Sequence, residues 1–390
     1  MKKFSKTKNL ITVFTTIFAL TSFVFLPVQS KADYDISKDL SSTSTQNSIS
    51  RNSPGNIVQH IMNKTFYIKN AYSGRYLDVY RGNASDGANV QQCSFNGGNN
   101  QKWYINYNGD GTFTFLSQIN TNFALDVYGA NSGNYANINL WTNHGGDSEK
   151  FKIYYTDNSV YKIASKISNY ERCLVVENRS CSDEGNVMQH DYNKSWNDLW
   201  ILEPVSIDVD LGAKYAVDNY NQTVSAYPRC SADCTNFASQ CLLASGFHYQ
   251  NDWQIYRKND KYNTDINKND QLKYSWDTSV PGPWLSAPNF KNYWGARISN
   301  IYQAKGSDIV NNPSLAWNLP ISQGCIIQMA KSNFGSVADP HHTMYVTGYL
   351  NDGTNNTYLL TYHSSDTLSK SLLDICRANP DEYFLFLKMI

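Results

Sequence analysis

Tyr76-Leu77-Asp78-Val79-Tyr80 is followed, 25 residues after its aspartate, by Trp103 in the run Gln101-Lys102-Trp103. Ala124-Leu125-Asp126-Val127-Tyr128 stands in the same relation to Phe151, in Glu149-Lys150-Phe151. Cys173-Leu174-Val175-Val176-Glu177 does so to Trp200, in Asp198-Leu199-Trp200. The repeat period is therefore 48 and then 49 residues. A unit this short and rich in turns cannot bury its own apolar face. Three copies predict a closed all-β assembly with pseudo-threefold symmetry. The recurring Leu, Val and Trp/Phe positions are then core, and Trp103, Phe151 and Trp200 are read as packing rather than as ligand contacts.

This stretch, residues 64–205, resembles the ricin-type β-trefoil lectin family with its Q-x-W repeats. The resemblance implies a carbohydrate partner and up to three sugar sites. In each, an aspartate holds hydroxyls, an aromatic stacks on the ring, and Asn and Gln before the Trp brace the pocket. Repeat one keeps Asp78, Gln91, Asn100 and Gln101, with Cys93 where the aromatic belongs. Repeat two keeps Asp126, Asn139 and Trp141, with Ser148 and Glu149 replacing Asn and Gln. Repeat three has Val175 for the aspartate and His190 for the aromatic, so it reads as degenerate. Repeat two is expected to be the sugar site.

Upstream, a basic start (Met1-Lys2-Lys3) precedes an apolar run from Leu10 to Val28 and then Ser30-Lys31-Ala32. This order predicts a signal peptide over residues 1–32, cleaved after Ala32, and hence a secreted, extracellular or cell-wall protein with no stable membrane insertion after cleavage. Residues 33–63, rich in Ser, Thr and Asn, read as a disordered linker. The remaining length suits two domains. The 33 basic and 33 acidic residues balance, which argues against a nucleic-acid partner. Among eight cysteines, Cys173 and Cys181 are close enough to bridge a loop, and Cys230, Cys241, Cys325 and Cys376 could pair in several ways. Without C-x-x-C or H-E-x-x-H, no metal and no cofactor is expected.

After Val205 the pattern changes. Leu211 to about Asn221 reads as a helix. In Arg229-Cys-Ser-Ala-Asp-Cys234-Thr-Asn-Phe-Ala-Ser-Gln-Cys241-Leu, an amphipathic helix is expected to start at Cys234 behind the acidic cap Asp233, burying Phe237, Cys241 and Leu242. A helix N-terminus stabilises a thiolate, which makes Cys234 the candidate nucleophile. Cys241, in the helix body, is read as packing. The later strands Cys325–Ala330, Thr343–Tyr349, Tyr358–His363 and Tyr383–Leu387 give an α+β domain, with Asn351-Asp352-Gly353 as a hairpin turn. If that hairpin closes symmetrically, opposed positions sum to about 707, and His342 and His363 share a face that His341 does not. On that reading Cys234 attacks a carbonyl, His342 carries the proton, and His363 orients His342, with Asp366 as the alternative orienting group. Asp233, Asn236 and Asp366 are the candidate substrate-binding residues. Of the Trp cluster, Trp253 and Trp276 could wall a groove.

Asp233-Cys-Thr-Asn-Phe-Ala-Ser-Gln-Cys-Leu, His342-Thr-Met-Tyr-Val-Thr and Tyr362-His-Ser-Ser-Asp-Thr resemble the "putative amidase domain" of secreted bacterial proteins, over residues 211–390. The Asp-Cys pair is also similar to papain-like cell-wall peptidases. The resemblance implies a papain-like α+β fold and a cysteine amidase or peptidase acting on a peptide or amide substrate, held at a glycan by the trefoil. The competing readings are a non-catalytic carbohydrate-binding protein or toxin component, and a thiol acyltransferase.

Overall fold

A computed structural model describes residues 34–35, 57–156, 160–222, 227–248, 252–255, 282–333, 339–351 and 355–390. The expected signal peptide, Trp276 and the Asp352-Gly353 turn lie outside the described residues. No described helix is long and apolar enough to cross a membrane.

The first repeat contributes β2 (Lys64–Asn70), β3 (Tyr76–Val79), β4 (Ala88–Cys93) and β5 (Lys102–Tyr107), after the short strand β1 (Tyr34–Asp35). The second contributes β6 (Phe113–Ser117), β7 (Phe123–Val127), β8 (Ala136–Thr142) and β9 (Phe151–Tyr155). The third contributes β10 (Tyr161–Ser165), β11 (Arg172–Val176), β12 (Gly185–Asp191) and β13 (Trp200–Pro204). The outer strands of each repeat pair in the ring β2–β5–β6–β9–β10–β13 and back to β2, which closes a barrel without free edges. The inner hairpins β3–β4, β7–β8 and β11–β12 meet one another through β4–β8, β8–β12 and β12–β4 and cap one end. This is a β-trefoil. Trp103, Phe151 and Trp200 are wholly buried, and each Trp indole N–H donates to a backbone carbonyl of its own repeat, Leu77 or Leu174.

The linker expectation fails at both ends. β1 pairs with Tyr154 and Tyr155, and α1 (Ile57–Ile61) buries Val58 and Ile61 in the trefoil core, because one apolar pair per turn suffices to seat a single-turn helix.

The second domain is a six-stranded antiparallel sheet between two layers of helices. It comprises α2 (Val209–Asn219), α3 (Cys234–Ala244), α4 (Ala287–Gly295), β14 (Ile301–Lys305), α5 (Gly306–Asn311), α6 (Ser314–Trp317), β15 (Ile326–Ala330), β16 (Pro340–Asn351), β17 (Asn356–Tyr362), β18 (Thr367–Ser371), α7 (Leu372–Ala378) and β19 (Tyr383–Leu387). The strand order is β14-β19-β15-β16-β17-β18. Strand alternation sends Ile326, Tyr345, Leu385 and Leu387 towards α2, α3 and α4. Ile327, Met344, Val346 and Phe386 face α5, α6 and α7.

The helix expected to be amphipathic is instead buried on every side, from Cys234 to Leu243, because helices, sheet and trefoil enclose it. Trp253 is wholly buried against Trp284 and Trp294, so it is core and no groove wall. Cys230, Cys241, Cys325 and Cys376 stand as separate thiols. Where α2 crosses α3, Gly212 permits the approach. A Cβ there would lie 2.8 Å from the Cys241 carbonyl oxygen and would press on the Ser245 and Tyr345 hydroxyls, which themselves lie 2.7 Å apart. Gly212→Ala should therefore cost about 1–3 kcal/mol, read as a lowered thermal midpoint with both domains still assembled.

Candidate active site and sugar site

Cys234 opens α3, as expected, but Asp233 does not cap it. The Asp233 carboxylate is engaged elsewhere. Oδ1 accepts from the Cys230 amide at 2.7 Å and the Asn236 side-chain amide at 2.9 Å. Oδ2 accepts from His363 Nδ1 at 2.5 Å. His363 Nε2 donates to the Asn219 carbonyl at 2.9 Å, and the ring stacks on Phe237 with centroids 3.9 Å apart. Both ring nitrogens face oxygens of Asp233 and Asn219, so neither is turned towards His342 or Cys234. Its expected role is corrected: it positions Asp233 and the start of α3.

The shared face of His342 and His363 is also corrected. Near the turn the ladder runs in the expected register, with Tyr349 opposite Tyr358 and Gly348 opposite Leu359. A bulge at Thr347 then shifts it by one, pairing Val346 with Leu360 and Tyr345 with Thr361. His342 therefore falls on the Met344 and Val346 side, edge-on to Tyr362 at 4.6 Å, whereas His363 packs towards α2 and α3. A second irregularity falls at His341, since Met329 pairs with His342 and Ala330 with Pro340. His341 is exposed, and its Nε2 lies 3.0 Å from Glu382 Oε2. Burial, with His341 adjacent, pushes His342 down to about 4, so its imidazole is neutral above that pH.

Cys234 Sγ lies 3.8 Å from Thr235 Oγ1, and no hydrogen bond joins it to a histidine among the described residues. The helix start is tied to the histidine strand instead. Thr235 Oγ1 lies 2.9 Å from Thr343 Oγ1, which accepts from Gln328 Nε2 at 2.9 Å. Neither Thr235, Thr343 nor Gln328 was singled out from sequence, although Thr343 and Tyr345 share strand parity. Asn236 is wholly buried: its amide nitrogen donates to the Pro228 carbonyl at 2.6 Å and its oxygen accepts from Trp284 Nε1 at 2.8 Å. Asp233 and Asn236 therefore frame the site rather than bind substrate. Asp366 lies at the surface, 2.6 Å from Arg229, and orients no histidine. Burial pushes the other thiols nearby up, Cys230 to about 11 and Cys241 well above its ordinary value, which leaves them poor nucleophiles.

In the trefoil, strand register confirms the correspondence of the three repeats. Asp126 opposes Asn139, Asp78 opposes Gln91, and Val175 opposes Met188. Two residues along, Trp141, Cys93 and His190 are equivalent. In repeat one, burial pushes Asp78 up to about 6 against the hydrogen bonds from Gln101, Gln91 and Asn100, the last at 2.5 Å. Its carboxylate is thus already occupied by its own neighbours. In repeat two, Asp126 bonds Ser148, while Asp126 Oδ2 and both amide atoms of Asn139 are buried with no partner among the described residues. Trp141 is partly exposed beside them. Unsatisfied buried polar groups next to an open aromatic face suit a hydroxylated ring.

Residues 206–387 match the family described as "Putative amidase domain". Residues 57–141 and 118–190 match that described as "Ricin-type beta-trefoil lectin domain-like". The chain carries a ricin-B-like β-trefoil lectin domain followed by an amidase-family domain. No curated protein matches its sequence. Among solved structures it is similar to ThreeFoil, a designed threefold-symmetric protein, at 34% identity over 35% of this chain and 96% of that one, with a TM-score of 0.34. It is similar to an exo-β-1,3-galactanase from Clostridium thermocellum at 26% identity over 36% of this chain and 30% of that one, TM-score 0.35. A Macrolepiota procera ricin B-like lectin in complex with lactose matches at 14% identity over 36% of this chain and 95% of the lectin, TM-score 0.31.

Removing one partner of the Asp233–His363 pair leaves the other buried alone. His363→Ala should destabilise the second domain by about 3–5 kcal/mol in denaturant unfolding. Asp233→Asn with His363→Ala should recover part of the loss; a double variant no better than the single would contradict the coupling.

Proposed function

We propose that the chain is a secreted thiol amidase or peptidase acting on peptide or amide bonds of a cell wall or glycoconjugate, held at its substrate by the trefoil. The observation that carries this reading is the placement of Cys234 as the first residue of the buried α3 inside the amidase-family segment. A thiolate there faces the positive end of the helix. The expected base, His342, is neutral but lies on the Met344 and Val346 side of the sheet, away from α3, and only its strand neighbour Thr343 touches the cysteine's helix. The trefoil raises local substrate concentration without entering the chemistry.

A specific observation favours one competing reading. With both His363 nitrogens engaged and no histidine bonded to Cys234, the second domain would suit a non-catalytic partner of a carbohydrate-binding protein. Turnover on peptidoglycan, followed by mass spectrometry of the products, separates the two. Cys234→Ala should abolish turnover and leave sugar binding intact. If His342 is the base in spite of that face, His342→Ala should lower turnover by ~10²–10⁴-fold, and His341→Ala far less. If His341→Ala is the more damaging, the base is the ring held by Glu382. Wild-type turnover in Cys234→Ala would refute the thiol mechanism, and absence of turnover in the wild type would leave the non-catalytic reading.

Asp126→Ala combined with Trp141→Ala should remove retention on an immobilised glycan while turnover of a small soluble amide stays at the wild-type level. Equal loss on both substrates would contradict the division of labour.

A further inference from the structure

Three side chains of the second repeat bring one donor atom each within 4.8 Å of one another: Asp126, His144 and Glu149. The two carboxylates are 4% and 0% exposed. Among the described residues Asp126 Oδ2 has no hydrogen-bond partner, and across the hairpin Asn139, 1% exposed, leaves both its amide atoms unpartnered. Two carboxylates held together away from water repel, and a cation between them removes that cost. From this arrangement we propose that Asp126, His144 and Glu149 form a site for one divalent metal ion of the zinc class, with Asn139 beside it.

The internal repeats supply the control. Gln101 in repeat one, Glu149 in repeat two and Asp198 in repeat three occupy equivalent positions, and each braces the same loop. Gln101 accepts from the Asn96 amide at 2.9 Å, and Asp198 from those of Asn193 at 2.9 Å and Ser195 at 3.2 Å. Glu149 accepts from the amides of His144 at 3.0 Å and Gly145 at 2.7 Å. A neutral amide oxygen therefore suffices for the brace, and the charge of Glu149 is surplus to it. The position of His144 is Asn96 in repeat one and Asn193 in repeat three, and that of Asp126 is Val175 in repeat three. Only the second repeat combines all three donors.

The histidine is half-exposed and turned towards the buried carboxylate. His144 Nδ1 lies 2.7 Å from Glu149 Oε1, and a Cβ on Gly146 would come within 2.6 Å of Nε2. One imidazole with two carboxylates suits Zn²⁺, Co²⁺ or Mn²⁺ rather than Ca²⁺, which takes oxygen ligands. Binding exchanges the His144–Glu149 contact for metal bonds, the ligating nitrogen of the ring carrying no proton and the other keeping its N–H. The other cluster, His60, Asp208 and Asp210, is no rival, because Lys64 already neutralises Asp208 at 2.9 Å.

The metal site shares Asp126 and Asn139 with the proposed sugar site and deepens that reading, and its test uses metal alone so that the two can fail separately. The full chain is titrated with Co²⁺ alone and followed by absorption. The expected result is a weak visible band saturating at one ion per chain, without the intense near-ultraviolet band of thiolate ligation. Glu149→Gln, which restores the side chain of repeat one and its brace, should weaken binding by at least ~10-fold. Circular dichroism of the variant should match the wild type. Absence of binding, a thiolate band, or equal affinity in Glu149→Gln would each overturn the site.

Discussion

A carboxylate and an imidazole paired out of reach of water fix where the parts of the second domain can sit. Asp233 precedes α3, His363 follows β17, and the Asn219 carbonyl ends α2, so one small network ties three elements that are far apart in sequence. Such a pair is stable only when the remaining donors and acceptors are also satisfied. Here they are, through Cys230, Asn236 and the Asn219 carbonyl. The position of Cys234 is a by-product of that satisfaction. Its neighbour Thr235 then meets Thr343 and Gln328, which registers the helix against the sheet.

The trefoil separates scaffold from chemistry more openly. Its barrel repeats the same pairing three times, and its core indoles bond the same kind of carbonyl in the first and third copies. The hairpin positions facing outward are free to vary because the barrel does not depend on them. Repeat one satisfies its aspartate internally, repeat three has lost it, and repeat two leaves polar atoms unanswered.

Most of this scaffold could be read from spacing. The three repeats, the burial of Trp103, Phe151 and Trp200, the start of α3 at Cys234 and the four main strands of the second sheet all followed from period and turn chemistry. The failures have a common cause. The face of His342 depended on strand parity, and one extra residue at Thr347 reverses parity for everything beyond it. Gly348, beside that residue, was the one local signal, because an isolated glycine inside a strand often marks a bulge. The partners of Asp233 were equally hidden, because an aspartate before a helix looks like a cap until a long-range imidazole is found to claim it. Asn236, at three residues' spacing from Asp233, carried the one local hint.

The seam between the domains has its own consequence. Leu211 of α2 belongs to the trefoil core, while Ala71, Tyr72, Val160, Trp196 and Leu199 of the trefoil belong to the cluster around α3. Asp208, which caps α2, also binds His60 and Lys64 of the trefoil side. Apolar surface shared in this way cannot be parted without exposing both cores, so the two domains do not swing on a leash. They form a ruler. The outer face of the second repeat and the start of α3 therefore keep a fixed offset from one another.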